Sequence, residues 1–370
     1  MEIADIFHRY FDKYVKKFGN KIPKNHLKTA FDIMTCRTSV RGGDAYYCEN
    51  CKSFHYSYHS CKNRHCPKCG SNDSEKWIEK QKEKLLPVKY FMVTFTVPEE
   101  FRFIIRSNQK LFYSILFQAA SEVLKELLSD PKYAGGESGF TAILHTWTRQ
   151  LIYHPHLHFI VPGGAFDIER NIWDKANSKF LIPVKLLSKK FREKFCYLLK
   201  KRNPEIFTTI PQELWKSGFN THSEPVGNGE STLKYLANYV YKTAISNNRI
   251  VSLENGKVTF TYKDSKTKET KFVKIPVFEF MRRFLQHTLP KGFQRIRHYG
   301  FLSSGAKKKF VKICSYFNFT QHRKPETKQE SDKFKTPDKF ICPKCHKKMI
   351  FHHTLERQAK RAPPIRILKI

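Results

Sequence analysis

The chain has 370 residues, with 68 Lys and Arg against 33 Asp and Glu, a formal net charge of +35. Hydrophobic residues make up 40% and aromatic residues 14%, enough to build a core, so wholesale disorder is excluded. The charge excess repels itself unless a polyanion is near, which points to nucleic acid ahead of a membrane surface, and no run of 18 apolar residues offers a membrane span.

The first ten residues lack the basic-then-apolar order of a signal peptide. Ten cysteines without such a signal imply a reducing compartment, where clusters hold metal more often than disulfides. The expectation is a cytoplasmic protein.

In chain order, Ile3, Ile6, Phe7, Tyr10, Phe11 and Tyr14 recur at helical spacing over residues 2–17. Residues 36–70 gather six of the ten cysteines with little periodicity, as a small metal-stapled module would. Residues 90–97 read as a buried strand ended by Pro98. Leu111, Ile115, Leu116, Ala119, Val123 and Leu127 then fit a long helix. Residues 140–148 and 154–162 are strand candidates close enough to pair as a hairpin. Helices are predicted at 191–201, at 232–244 behind a Ser231 cap, and at 278–287 before Pro290. Short strands at 249–253 and 258–262 flank the turn Glu254-Asn255-Gly256. Residues 321–339 are polar and charged and read as a linker.

This alternation predicts an α+β fold with a mainly antiparallel sheet and a small N-terminal zinc-ribbon-like module. The expected division is a helical segment at 1–35, a zinc-binding domain at 36–85, a catalytic domain at 88–315 and a basic tail at 316–370.

Cys48-x2-Cys51 and Cys66-x2-Cys69 are separated by 14 residues, near the spacing at which two knuckles supply four thiolates to one structural Zn²⁺. Cys36, His55, Cys61 and His65 are left over as a candidate second zinc site. Lys62, Arg64 and Lys68 interleave with these ligands and are candidate phosphate contacts. Cys342-x2-Cys345 is half a site, which His346, His352, His353 or Cys314 could complete.

His154-Pro155-His156-Leu157-His158 is the most informative stretch. A strand puts alternate residues on one face, so three imidazoles would point one way and form a half-shell for a divalent ion. The second constellation is Tyr235-Leu236-Ala237-Asn238-Tyr239. On a helix Tyr235 and Tyr239 are neighbours lying off the apolar stripe, with Lys242 on their side as a candidate DNA contact. A phenol is a poor nucleophile at neutral pH and becomes useful where a metal polarises a phosphodiester. Mg²⁺ prefers oxygen ligands and Mn²⁺ tolerates imidazole better, so either ion is a candidate. His154 and Asn238 are candidates for a third ligand.

Together these motifs resemble the rolling-circle insertion-sequence transposases of the HUH class, in the two-tyrosine branch with an N-terminal zinc-binding domain. The resemblance is carried by Cys61-Lys62-Asn63-Arg64-His65-Cys66-Pro67-Lys68-Cys69, His154 to His158, Val161-Pro162-Gly163-Gly164, Tyr235 to Tyr239 with Ala244-Ile245-Ser246-Asn247, Leu289-Pro290-Lys291-Gly292-Phe293 and Arg295-Ile296-Arg297-His298-Tyr299-Gly300. It implies a ferredoxin-like palm with the histidine pair on a central antiparallel strand. His156 and His158 would be metal ligands and Tyr235 and Tyr239 the nucleophiles. Single-stranded DNA and transposon-end hairpins would be the partners, cut through a 5′-phosphotyrosine in the bacterial nucleoid. Arg295 and Arg297 fall in its last motif and are further candidate DNA contacts. A replication initiator or relaxase of the same chemistry, and a non-catalytic zinc regulator, are the alternatives.

Overall fold

The computed structural model describes residues 1–69, 71–176, 180–216, 218–228, 231, 233, 243–264, 266–318 and 340–358. The linker 321–339 and most of the helix expected at 232–244 therefore lie outside the described residues.

In chain order, α1 (Ile3–Phe18) and α2 (Lys24–Met34) are followed by the hairpin β1 (Gly43–Cys48) and β2 (Ser53–Tyr58) and by α3 (Ser71–Lys82). Next come β3 (Lys89–Thr96), α4 (Arg102–Ser107), α5 (Gln109–Ser129), β4 (Phe140–Trp147), β5 (Tyr153–Pro162) and the small pair β6 (Gly164–Asp167) and β7 (Ile172–Lys175). After α6 (Val184–Arg202), α7 (Pro204–Thr208) and β8 (Asn220–Asn228), the strands β9 (Ile250–Glu254), β10 (Lys257–Lys263) and β11 (Thr270–Pro276) lead into α8 (Val277–Leu285). β12 (Ile296–Tyr299), α9 (Lys307–Tyr316) and β13 (Ile350–Leu355) complete the described elements.

These elements fall into two compact units, neither contiguous in sequence. The first comprises residues 1–72, 243–288 and 323–370, and the second 73–242 and 289–322. The four-part linear division expected from sequence does not follow these units, because strand pairing and aromatic packing join distant segments.

In the first unit α1 buries Ile3, Ile6, Phe7, Phe11 and Tyr14, and the Asp5 carboxylate accepts the Glu2 N–H at 2.8 Å where the helix begins. Phe7 and Tyr14 meet Phe284 and Phe278 of α8, each pair with ring centroids 5.8 Å apart. β9, β10 and β11 form an antiparallel meander, and its first turn places Asn255 and Gly256 at φ 48° and 69°, the left-handed pair that a two-residue hairpin needs. A second sheet runs β13-β1-β2, so a strand from the chain's far end lies beside β1.

The second unit is built on a five-stranded antiparallel sheet in the order β12-β4-β5-β3-β8. β5, which carries the histidines, is its central strand. Leu157, Phe159 and Val161 of β5 enter a large apolar cluster with Phe95 of β3, Phe112 and Phe117 of α5, and Phe191 and Phe195 of α6. Each such side chain stabilises the fold by roughly 1.5–3 kcal/mol. A slip of one residue would turn that set to the other face, so burial fixes the register. The hairpin of β4 and β5 and the long helix α5 form where the sequence places them.

Candidate metal centres

Because Leu157 and Phe159 are committed to the core, His154, His156 and His158 occupy the opposite face of β5. The antiparallel register sets His145 of β4 directly opposite His156, while Thr94 of β3 faces His158 from the other side. His145, His156 and His158 offer three ring nitrogens within 4.8 Å of one another. Ring centroids are 5.3 Å apart for His145 and His156, and 4.9 Å for the other two pairs. His145 and His158 are buried, and His156 is half-buried at the mouth.

The hydrogen bonds orient these rings. His156 Nδ1 lies 2.7 Å from the His154 carbonyl oxygen. A carbonyl only accepts, so Nδ1 carries the proton and Nε2 keeps its lone pair. His158 Nδ1 lies 3.1 Å from Thr94 Oγ1, a partner able to fix that ring in the same tautomer. Burial, reinforced by the neighbouring His158, holds His156 well below the ordinary imidazole value, and burial brings His158 down to about 4. Both are neutral at pH 7, the form that ligates metal. Metal–nitrogen bonds of about 2.1 Å bring imidazole nitrogens to roughly 3–3.5 Å, within reach of small ring rotations. The donor set fits a divalent ion with imidazole affinity, Mn²⁺ more readily than Mg²⁺.

His154 does not join this cluster. Its Nδ1 accepts from Arg102 Nη2 at 3.1 Å, and Arg102 is also paired with Glu99 at 3.0 Å. Burial and the adjacent guanidinium both lower its pKa. The third imidazole is His145, which sequence reasoning passed over. Counting outward from the turn would set Leu144 opposite His156; a register shift between His145 and Trp147 brings His145 there instead, a signal the sequence does not carry.

Arg295 is likewise not a solvent-facing phosphate contact. It is 8% exposed, its Nε donates to the Leu144 carbonyl at 3.0 Å, and its guanidinium lies 4.7 Å from the Trp147 ring centroid. Trp147 in turn stacks on His145 at 5.1 Å and 20°, so Arg295 backs the wall behind that imidazole. Arg297 is half-buried over Phe117 and Phe293, at 4.1 and 5.2 Å from their ring centroids, and is spent on packing.

The thiols group differently from the sequence-based pairing of Cys48 and Cys51 with Cys66 and Cys69. Cys66 and Cys69 close with Cys36 and Cys61, whereas Cys48 and Cys51 close with Cys342 and Cys345. The Arg37 N–H donates to the His59 carbonyl at 3.2 Å, drawing Cys36 toward Cys61. Pairing of β13 with β1 carries the C-terminal knuckle to the end of β1, where Cys48 sits. Zinc–sulfur bonds of about 2.3 Å place tetrahedral sulfurs roughly 3.8 Å apart. Cys69 Sγ lies 3.5 Å from both Cys36 and Cys61, Cys48 Sγ 3.5 Å from Cys345, and Cys51 Sγ 3.9 Å from Cys342, so both clusters fit structural zinc. Hydrogen bonds with Cys61 and Cys66 hold Cys36 far below the ordinary thiol range, and the same contacts push Cys61 and Cys66 up, so an incoming zinc displaces protons from the cluster.

His55 and His65 stand outside both clusters; the His55 ring rests 5.1 Å from that of Phe340. Cys314 is buried beside Phe310 and does not close the C-terminal pair. Lys62 and Arg64 are exposed, while Lys68 pairs with Glu2 at 2.5 Å. Tyr235, Asn238, Tyr239 and Lys242 lie outside the described residues.

Comparison with known proteins adds independent information. The family model described as "Transposase zinc-binding domain", of the IS91 type, matches residues 6–97, a span that includes Cys36 to Cys69 but not Cys342 or Cys345. The model described as "Putative transposase" matches residues 139–309, which contain His145, His156, His158 and both tyrosines. A Sinorhizobium fredii protein named "Putative transposase y4qJ" is 36% identical over 332 residues, covering 85% of this chain and 83% of its own. The "Transposase for insertion sequence element IS801" of Pseudomonas savastanoi pv. phaseolicola is 28% identical over 301 residues, covering 75% and 70%. No solved structure matches the chain.

Proposed function

Because the chain belongs to the transposase family that carries the IS91-type zinc-binding domain, with DNA as its partner, we propose that it cleaves and rejoins single-stranded DNA at transposon ends by tyrosine attack. The observation that carries this reading is the convergence of His145, His156 and His158 on the central strand pair of an antiparallel sheet, in a chain that also holds Tyr235 and Tyr239.

In this reading His145, His156 and His158 hold Mg²⁺ or Mn²⁺, and Tyr235 and Tyr239 are the nucleophiles. When bound, the ion supplies Lewis-acid polarisation of the scissile phosphate and offsets its developing charge. The phenol of one tyrosine loses its proton and its oxygen bonds to phosphorus. The P–O3′ bond breaks and the 3′ oxygen gains a proton, leaving a 5′-phosphotyrosine and a free 3′-hydroxyl. A second tyrosine lets one strand be held while another is cut. His156 and His158, neutral at pH 7, keep lone pairs available to the site. Trp147 and Arg295 restrain His145, and Thr94 restrains His158. Structural zinc at the two thiolate clusters holds the first unit.

The test is incubation with labelled single-stranded element ends and Mn²⁺ or Mg²⁺, followed by a denaturing gel. A covalent protein–DNA adduct is expected from the natural sequence, and none from Tyr235→Phe combined with Tyr239→Phe, with DNA binding retained. Nicking that persists in the double variant would overturn the tyrosine assignment.

A further inference from the structure

The β13-β1-β2 sheet has two unlike faces. Tyr46 and Cys48 of β1 turn inward onto Phe340, Cys342 and Met349, a small apolar cluster shared with the thiols. The other face is aromatic and open. Phe54, Tyr56 and Tyr58 alternate along β2, and the register sets Tyr47 of β1 opposite Phe54. Phe54 and Tyr56 are each 44% exposed, far above what packing aromatics show.

The three β2 rings are almost parallel. Phe54 and Tyr56 are 6.3 Å apart at 12°, and Tyr56 and Tyr58 6.1 Å apart at 11°. Tyr47 meets Phe54 at 5.0 Å, and His352 of β13 closes the row edge-on to Phe54 at 5.1 Å. The margin is basic on balance, with Glu49 the one exposed acid in the turn joining β1 to β2. Lys52 is exposed in the turn joining β1 to β2, and Lys347 Nζ reaches Asn50 Oδ1 of the same turn at 3.1 Å. Lys344 and Lys348 are exposed on the neighbouring knuckle.

We propose that this face is a base-stacking platform for single-stranded DNA. A row of parallel rings about one strand repeat apart, edged by lysines, matches the two needs of an unpaired strand: π-faces for successive bases and cations for its phosphates. Duplex DNA hides its base faces and gains little from such a row. A purely apolar partner would not call for the lysine margin. His352 reaches the row only when β13 pairs with β1, so the cluster of Cys48, Cys51, Cys342 and Cys345 also completes the platform. The inference rests on the reading of the chain as a handler of single-stranded DNA and adds a binding surface apart from the histidine cluster.

The experiment measures anisotropy of fluorescein-labelled oligo-dT, and of a labelled duplex, with the full chain at fixed salt. Phe54→Ala with Tyr56→Ala is expected to weaken oligo-dT binding at least about tenfold, since each ring removed takes away a stacking partner for a base. Duplex binding and zinc content should be unchanged, and Phe54→Trp with Tyr56→Phe should restore the affinity. Equal loss on both DNAs, no loss on either, or dissociation of a solution dimer in place of a DNA defect would each overturn the proposal. Should the alanine variant lose zinc, photocrosslinking of the natural sequence to a bromodeoxyuridine oligonucleotide decides. Adducts within residues 47–58 support the platform and their absence overturns it. Binding that depends on Phe54 and Tyr56 in a protein that forms no tyrosine adduct would sink the cleavage mechanism and leave the platform standing.

Discussion

The two units solve the same problem with different means. The second packs two long helices on a five-stranded sheet and buries Phe95, Phe117, Phe159, Phe191 and Phe195 almost completely. The β13-β1-β2 part of the first has a cluster of only a few apolar side chains and two sets of four thiols. A core that thin does not offset the entropy of ordering its loops, so ligation must supply the difference. In the function proposed above, metal would serve opposite ends in the two places. Four thiolates close a coordination sphere, whereas three imidazoles leave positions open for a phosphate. The comparison teaches that ligand count is what would separate a staple from the proposed reaction centre.

The largest expected effect breaks the comparison at the staple. Cys66→Ser should remove one zinc per chain, measured by atomic absorption, and cost the zinc-bearing part of the first unit on the order of 10 kcal/mol, enough to unfold it. Retention of full zinc content would contradict the four-thiol grouping. Next, Phe159→Ala should lower the stability of the second unit by about 3–5 kcal/mol in denaturant melts while zinc content stays constant. Loss of zinc in that variant would show that the two means are not separate.

A smaller effect falls on the reaction centre. His145→Ala should leave the fold intact and weaken Mn²⁺ binding at least about tenfold by calorimetry. An unchanged affinity would remove His145 from the ligand set.

The mildest effect concerns pH. His298 accepts or donates a 2.9 Å hydrogen bond with Thr141 Oγ1, and burial, aided by the nearby Lys84 charge, lowers its pKa from 6.5 to about 4. The unfolded chain therefore takes up a proton at higher pH than the folded one. The stability of the second unit should be full above about 6.5 and decline as pH falls toward 4, and His298→Gln should flatten that slope.

Much of the second unit was legible in sequence. The run His154 to Phe159 alternates histidine with apolar or proline residues, and one face buried against α5 and α6 enforces that alternation. His145 was not legible as a candidate ligand because it is the single histidine of β4 and its partners lie on another strand, set opposite it by a register shift. The first unit was harder to read. Two CxxC knuckles near each other suggest one site, but Cys48 and Cys51 are completed by residues nearly three hundred positions away. Local spacing carries no information about such a closure; the pairing of β13 with β1 does. Arg295 read as a DNA contact from its charge and its place in the last motif of the resemblance, and its burial against Trp147 is a tertiary fact.

One measurement goes to the division between staple and reaction centre. Protein treated with enough EDTA to empty weak sites is assayed for the covalent DNA adduct as Mn²⁺ is restored, with zinc content followed in the same samples. The expected result is adduct that vanishes with EDTA and returns with Mn²⁺ while two zinc ions per chain remain bound. Adduct formation that survives EDTA, or that is lost and regained in step with zinc, would contradict it.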